Sequence, residues 1–191
     1  MFSQPSQICF KLPEWLNVYC QSYQPSSQLE DRMDFVIAAA AENISRQTGG
    51  PFAAGIFERD SGQLVSLGVN IVCPQQLSIL HAEMVAMTLA ERKLNTFSLK
   101  QASLPAYELI SSAEPCAMCL GAIPWSGIAQ VVTAACDKDI RAIGFDEGGK
   151  PDHWQQALTS RGIKVVDRVQ RQQACEVLQQ YERQQGLIYN N

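Results

Sequence analysis

The sequence predicts a three-layer α/β/α domain around one mixed sheet, and three observations carry that prediction. Short runs rich in β-branched and apolar residues alternate along the chain with longer stretches of helical period, the order of strands wrapped by helices. The chain has 191 residues, and a domain of that size buries about 70% of its unfolded surface without disulfide support. Hydrophobic residues make up 46% and charged residues 18%, which excludes a mostly disordered chain.

The elements follow in order. Residues 1–28 are rich in Gln, Ser and Pro around Trp15, Leu16 and Val18. They read as a polar N-terminal extension docked on the domain, with Pro13 placed to open one short helix. From Leu29 to Gln47, Met33, Ile37, Ala40, Ala41 and Ile44 share one stripe of a helix that Gly49-Gly50-Pro51 ends. A hairpin is expected over Phe52–Arg59 and Gln63–Asn70, turning at Asp60-Ser61-Gly62. After a loop at 71–79 come a helix from about Leu80 to Lys93, a strand at Tyr107–Ser111 and a helix opening at Pro115-Cys116. A strand at Gln130–Ala134 and a helix at Lys138–Ile143 complete the domain, taken as 29–150. Its last loop, Gly144–Asp152, carries three glycines and a proline. The C-terminal segment 151–191 holds a short helix, a strand at Ile163–Val166 and a polar helix over Gln170–Gln185.

Fifteen basic against nineteen acidic residues give a net charge of −4, which argues against a nucleic-acid partner, since such surfaces are basic. No apolar run approaches the ~20 residues that span a bilayer, and the N-terminus lacks a signal pattern. The expectation is a soluble cytoplasmic protein with no membrane partner. Two of the seven cysteines stand as Cys116-x-x-Cys119, a spacing that in a cytosolic chain favours metal or redox chemistry. Cys9, Cys20, Cys73, Cys136 and Cys175 read as small buried hydrophobes.

Two constellations carry chemistry. In His81-Ala82-Glu83 the outer residues are two apart and do not face each other on a helix, so a metal held by His81 needs its other ligands elsewhere. Alone, the tripeptide is a weak signal and reads as a helix-opening His with a solvated acid. In Glu114-Pro115-Cys116-Ala117-Met118-Cys119 the two sulfurs share a helix face and can converge on one ion. Pro115 marks a helix N-terminus, which favours the thiolate. A redox dithiol explains that segment as well. Together, one His and two Cys make a three-ligand zinc set with the fourth position open for water. Glu83 is then free to move that water's proton. His-x-Glu followed by Pro-Cys-x-x-Cys is a known signature of zinc-dependent nucleobase deaminases.

From Gly50 to Glu147 the chain resembles the cytidine deaminase superfamily, and within it the bacterial zinc-type guanine deaminases. The resemblance rests on Gly50-Pro51-Phe52-Ala53-Ala54, Gly68-Val69-Asn70, His81-Ala82-Glu83-Met84, the segment Glu114 to Ile123, Trp125 and Gly144-Phe145-Asp146-Glu147. It implies a cytidine-deaminase-like fold with a central mixed five-stranded sheet, and one Zn²⁺ per subunit on His81, Cys116 and Cys119. It further implies Glu83 as proton shuttle and Glu147 as second proton carrier. Guanine and water are the implied substrates, with Phe52, Asn70, the Ala82 backbone and Trp125 holding the base. It also implies a homodimer in which the C-terminal segment crosses to the partner subunit. By composition alone Trp125 and Phe52 could be core, Asn70 a turn residue and Glu147 a solvated acid. The chain departs from many relatives at Pro124-Trp125-Ser126-Gly127, where an Arg is missing, and at Glu147, where Asp is frequent. Adenosine in tRNA is the alternative substrate, because the cysteine segment is shared with tRNA adenosine deaminases. A non-catalytic zinc-stapled domain is the other alternative.

Overall fold

The structure, a computed structural model, describes residue 2 and residues 4–189; the outermost positions of both terminal segments lie outside the described residues. Its core is one five-stranded sheet in the order β2-β1-β3-β4-β5. The strands are β1 (Ala53–Glu58), β2 (Leu64–Val69), β3 (Tyr107–Ala113), β4 (Gln130–Ala135) and β5 (Lys164–Val166). β1 runs antiparallel to β2 and β3, whereas β3, β4 and β5 are parallel. The sheet is therefore mixed, as expected. Every residue of the central β3 is buried, as a strand covered on both faces must be.

One face is covered by α1 (Glu14–Gln21), α2 (Leu29–Ser45), α6 (Asp137–Ala142) and α8 (Arg171–Arg183), the other by α4 (Ala82–Leu94), α5 (Ala117–Ser126) and α7 (Trp154–Thr159). Most of the stripe read from the sequence is the buried side of α2: Met33, Ile37, Ala40 and Ile44 are in the core together with Val36, and Ala41 is half-buried. α1 starts right after Pro13 and docks through buried Leu16, a Trp15 indole bond to Thr48 and a Tyr19 hydroxyl bond to the Phe35 carbonyl. Gly68 lets α4 sit directly on β2. A Cβ there would fall 2.4 Å from the Ala82 carbonyl oxygen, so a larger residue would push the start of α4 away from the sheet.

Two expectations need correction. The 71–79 loop contains a one-turn helix, α3 (Val72–Gln75). The five remaining cysteines are not buried hydrophobes: Cys9 is exposed and Cys20, Cys73, Cys136 and Cys175 are half-buried. Cys20 and Cys175 pack at the margin of the core, and Cys136 caps α6 and donates its thiol to Asp139.

At the end of the sheet where the β1–β2 hairpin turns, Arg32 and Glu108 form a buried ion pair at 2.8 Å. Gln130 donates to the same carboxyl and Arg32 also bonds the Arg59 carbonyl. Burial pushes the Glu108 carboxyl up to about 7, against the pull of Arg32 and Gln130. Arg32→Met should destabilise the fold by about 3–5 kcal/mol, the usual cost of orphaning a buried charge. A folded-state pKa above the unfolded one means stability is lost as pH rises through the folded value. The deficit should therefore grow above pH 7, read as a urea midpoint falling at constant m.

Candidate active site

The candidate ligand residues are placed by helix starts. His81 is the N-cap of α4 and Cys116 the N-cap of α5, both in extended backbone. Cys119 follows one turn into α5, on the same side as Cys116. The helices start beside each other at the end of β3, so the nitrogen of His81 and the two sulfurs lie within 4.8 Å of one another. The Cys116 sulfur is 3.4 Å from His81 Nδ1. The thiol of Cys119 and the His81 ring pull the Cys116 thiol down to about 4 against burial, and sharing that proton raises Cys119. A buried site with one imidazole, one ready thiolate and a second sulfur is the donor set zinc prefers.

The pocket in front of this cluster is walled by Phe52, Asn70, Glu83, Ser111, Glu114 and Glu147, with His81 and Cys116 at its base. Phe52 and Asn70 are held opposite each other where the hairpin begins and ends: the Asn70 amide donates to the Phe52 carbonyl at 2.9 Å. Buried Asn43 bonds the Gly50 and Asn70 carbonyls together. Burial and the nearby Cys116 sulfur push the Glu83 carboxyl up to about 7. Burial, Cys116 and Glu83 push Glu147 up to about 8, opposed by Lys150. The Glu147 Oε2 is buried without a hydrogen-bond partner. Two acids that titrate near neutrality beside a metal-ligand cluster are suited to proton transfer in both directions.

Three residues named from the sequence lie off this pocket. Cys119 is buried behind Cys116, where a ligand but not a wall is needed. Ala82 is fully buried, its carbonyl against β2. Trp125 is 83% exposed. Six residues of α-helix turn it about 240° from Cys119 and carry it ~9 Å along the axis, so α5 points it into solvent. Two residues that were not singled out are present instead. Tyr189, from the C-terminal segment, lines the pocket with its ring 5.0 Å from that of Phe145. Lys150 lies behind Glu114, 3.1 Å from its carboxylate. No local pattern announces either one; Tyr189 is simply an aromatic in a polar tail.

Residues 26–135 match the family described as the cytidine and deoxycytidylate deaminase zinc-binding region. The chain belongs to that deaminase family. It is 42% identical to guanine deaminase from Nitrosomonas europaea, with a TM-score of 0.90 over 95% of this chain and 100% of that one. It is 45% identical to NE0047 in complex with 2,6-diaminopurine, with a TM-score of 0.89 over 94% of this chain and 95% of that one. It is also 34% identical to guanine deaminase from Bacillus subtilis over 58% of this chain and 67% of that protein. The family is one of zinc-binding hydrolytic deaminases, which agrees with the donor set at His81, Cys116 and Cys119. Among the described residues no helix is long and apolar enough to cross a membrane.

Proposed function

We propose that this deaminase hydrolyses guanine to xanthine and ammonia, with one zinc ion per chain. The observation that carries the reading is the pair Glu83 and Glu147, two buried acids lining one pocket beside the ligand cluster. The similarity to guanine deaminases supports the choice of base. Zinc, when held by His81, Cys116 and Cys119, supplies Lewis acidity that brings the pKa of water from 15.7 to about 7. Glu83 takes the proton of the attacking water and delivers it to a ring nitrogen as the oxygen adds to C2 of the purine. Glu147 delivers a proton to the amino group, which leaves as ammonia, and the proton left on the added oxygen returns to the carboxylate pair as the C2 carbonyl forms. Asn70 offers an amide to the polar edge of the base, and Phe52 packs on its face.

Tyr189 bears on how the base enters. With its ring in place the free space in the pocket is about 20 Å³, room for one water but not for a purine. A purine enters this pocket only as its lining side chains move apart. A homodimer that exchanges the C-terminal segment would bring the same tail to the same pocket from a second chain, and sedimentation of the purified protein tests for it.

The zinc-loaded protein should release ammonia and form xanthine from free guanine, and should leave cytidine and adenosine-containing tRNA unchanged. Turnover of tRNA alone would replace guanine by adenosine as the substrate. No turnover of any amino base would favour a zinc staple.

A further inference from the structure

We infer that Lys150 is a positioning residue that fixes Glu147 in the pocket; this rests on the guanine-deaminase reading. Glu147 stands on a loop with no regular structure, between Gly144 and Gly148, both in the left-handed region at φ 101° and 70°. Such a segment needs tethers to hold one carboxylate in place. Its backbone is tied at one point to α5, where the Ala117 amide donates to the Glu147 carbonyl at 2.9 Å. The Arg141–Asp146 pair also contacts the loop, but its side chains are 42% and 58% exposed, and pairs so open to water hold little.

Lys150 differs in kind. Its side chain is 6% exposed, and its ammonium is 3.1 Å from Glu114 and 3.0 Å from Asp137. The Trp154 ring lies 5.9 Å away as a further cation partner. Glu114 is buried, lines the pocket two residues before Cys116, and is fixed by its amide bond to the Ala135 carbonyl at the end of β4. Lys150 thus joins the loop, three residues past Glu147, to the strand ends that carry the ligand cluster. Removing Lys150 leaves the buried Glu114 carboxylate uncompensated, while Asp137 keeps Arg141 at 2.8 Å, so the loop would have to move to let water reach Glu114. A displacement of 1 Å at a reacting group costs on the order of 100-fold in rate.

Lys150→Met should lower kcat on guanine by about 10–100-fold with KM changed less than about threefold and zinc content unchanged. Lys150→Arg should recover most of that loss. The deciding comparison is a double-mutant cycle. In a Glu147→Gln background Lys150→Met should cost less than about twofold, because the proton carrier it positions is already gone. Hydrogen exchange gives a second readout that needs no turnover: amides of residues 144–149 should exchange faster in Lys150→Met and not in Lys150→Arg. An equal rate loss in both backgrounds, or unchanged kcat, would overturn the inference. If the wild-type protein leaves guanine intact, the guanine reading fails on its own. Exchange over 144–149 then decides for the clamp, and unchanged protection overturns it.

Discussion

Glu83→Gln is expected to lower kcat on guanine by about 10²–10⁴-fold, the range general acid–base catalysis supplies, while the zinc content stays at one per chain. Gln keeps the volume and can hydrogen-bond, but it cannot accept the proton of the attacking water. The effect should be on kcat, since Glu83 is not a ligand and the walls formed by Phe52 and Asn70 stay in place. The two carboxyls should not be equivalent. Glu83 stands at the first turn of α4, two residues after the ligand His81, whereas Glu147 comes in on a loop. A lost base at Glu83 stops addition, so the Gln variant there should be the slower of the two single variants. Rapid-quench xanthine formation together with metal analysis checks this; a Glu83→Gln enzyme within tenfold of wild type would remove Glu83 from the proton path.

Cys119→Ala is expected to remove the metal and the activity together. Cys119 is fully buried one turn into α5, so no solvent ligand can reach its place without opening the helix start. Zinc per chain should fall below about 0.1 after dialysis. The thermal response to metal should vanish with it. A ligand that binds only the folded state adds about 2.7 kcal/mol at a hundred times its Kd. For a chain of this length that is a Tm rise of roughly 5–10 °C in wild type, and none in the variant. Cys136→Ala is the control. That residue is half-buried on α6 and remote in role, so its zinc binding should match wild type. A Cys119→Ala protein that kept stoichiometric zinc would mean that the ion sits elsewhere.

The ligand cluster was legible in the sequence because each of its parts is local. His81 and Cys116 sit at helix N-caps, and Cys119 lies within the same turn as Cys116, so spacing alone limits where those atoms can go. The strand and helix order was legible for the same reason: β4 is rich in β-branched residues, and the α2 stripe has helical period. What was not legible depends on long-range return of the chain. Tyr189 reaches the pocket from more than a hundred residues beyond His81, and no period or motif encodes that path. Lys150 pairs with Glu114 across α5 and β4, a contact that only the packed loop creates. Trp125 shows the reverse case, since its spacing from Cys119 is easily counted, but the direction in which α5 presents it depends on how that helix is seated. The half-buried cysteines escaped for a third reason. Composition treats Cys as a hydrophobe, and it does not reveal that Cys136 is used as a cap.

The brevity of β5 has a consequence for how the molecule behaves in a crowd. An open sheet ends in a row of unpaired backbone groups that can recruit a strand from a neighbouring chain. The sheet has two such margins, β2 and β5; the β5 margin is three residues, Lys164–Val166, about 10 Å of extended chain. Lys164 is exposed on it, and the chain soon turns away through Arg168, a non-glycine residue with φ 61°. An incoming strand would find one or two rungs and a charge at this edge, too little to seed pairing through β5.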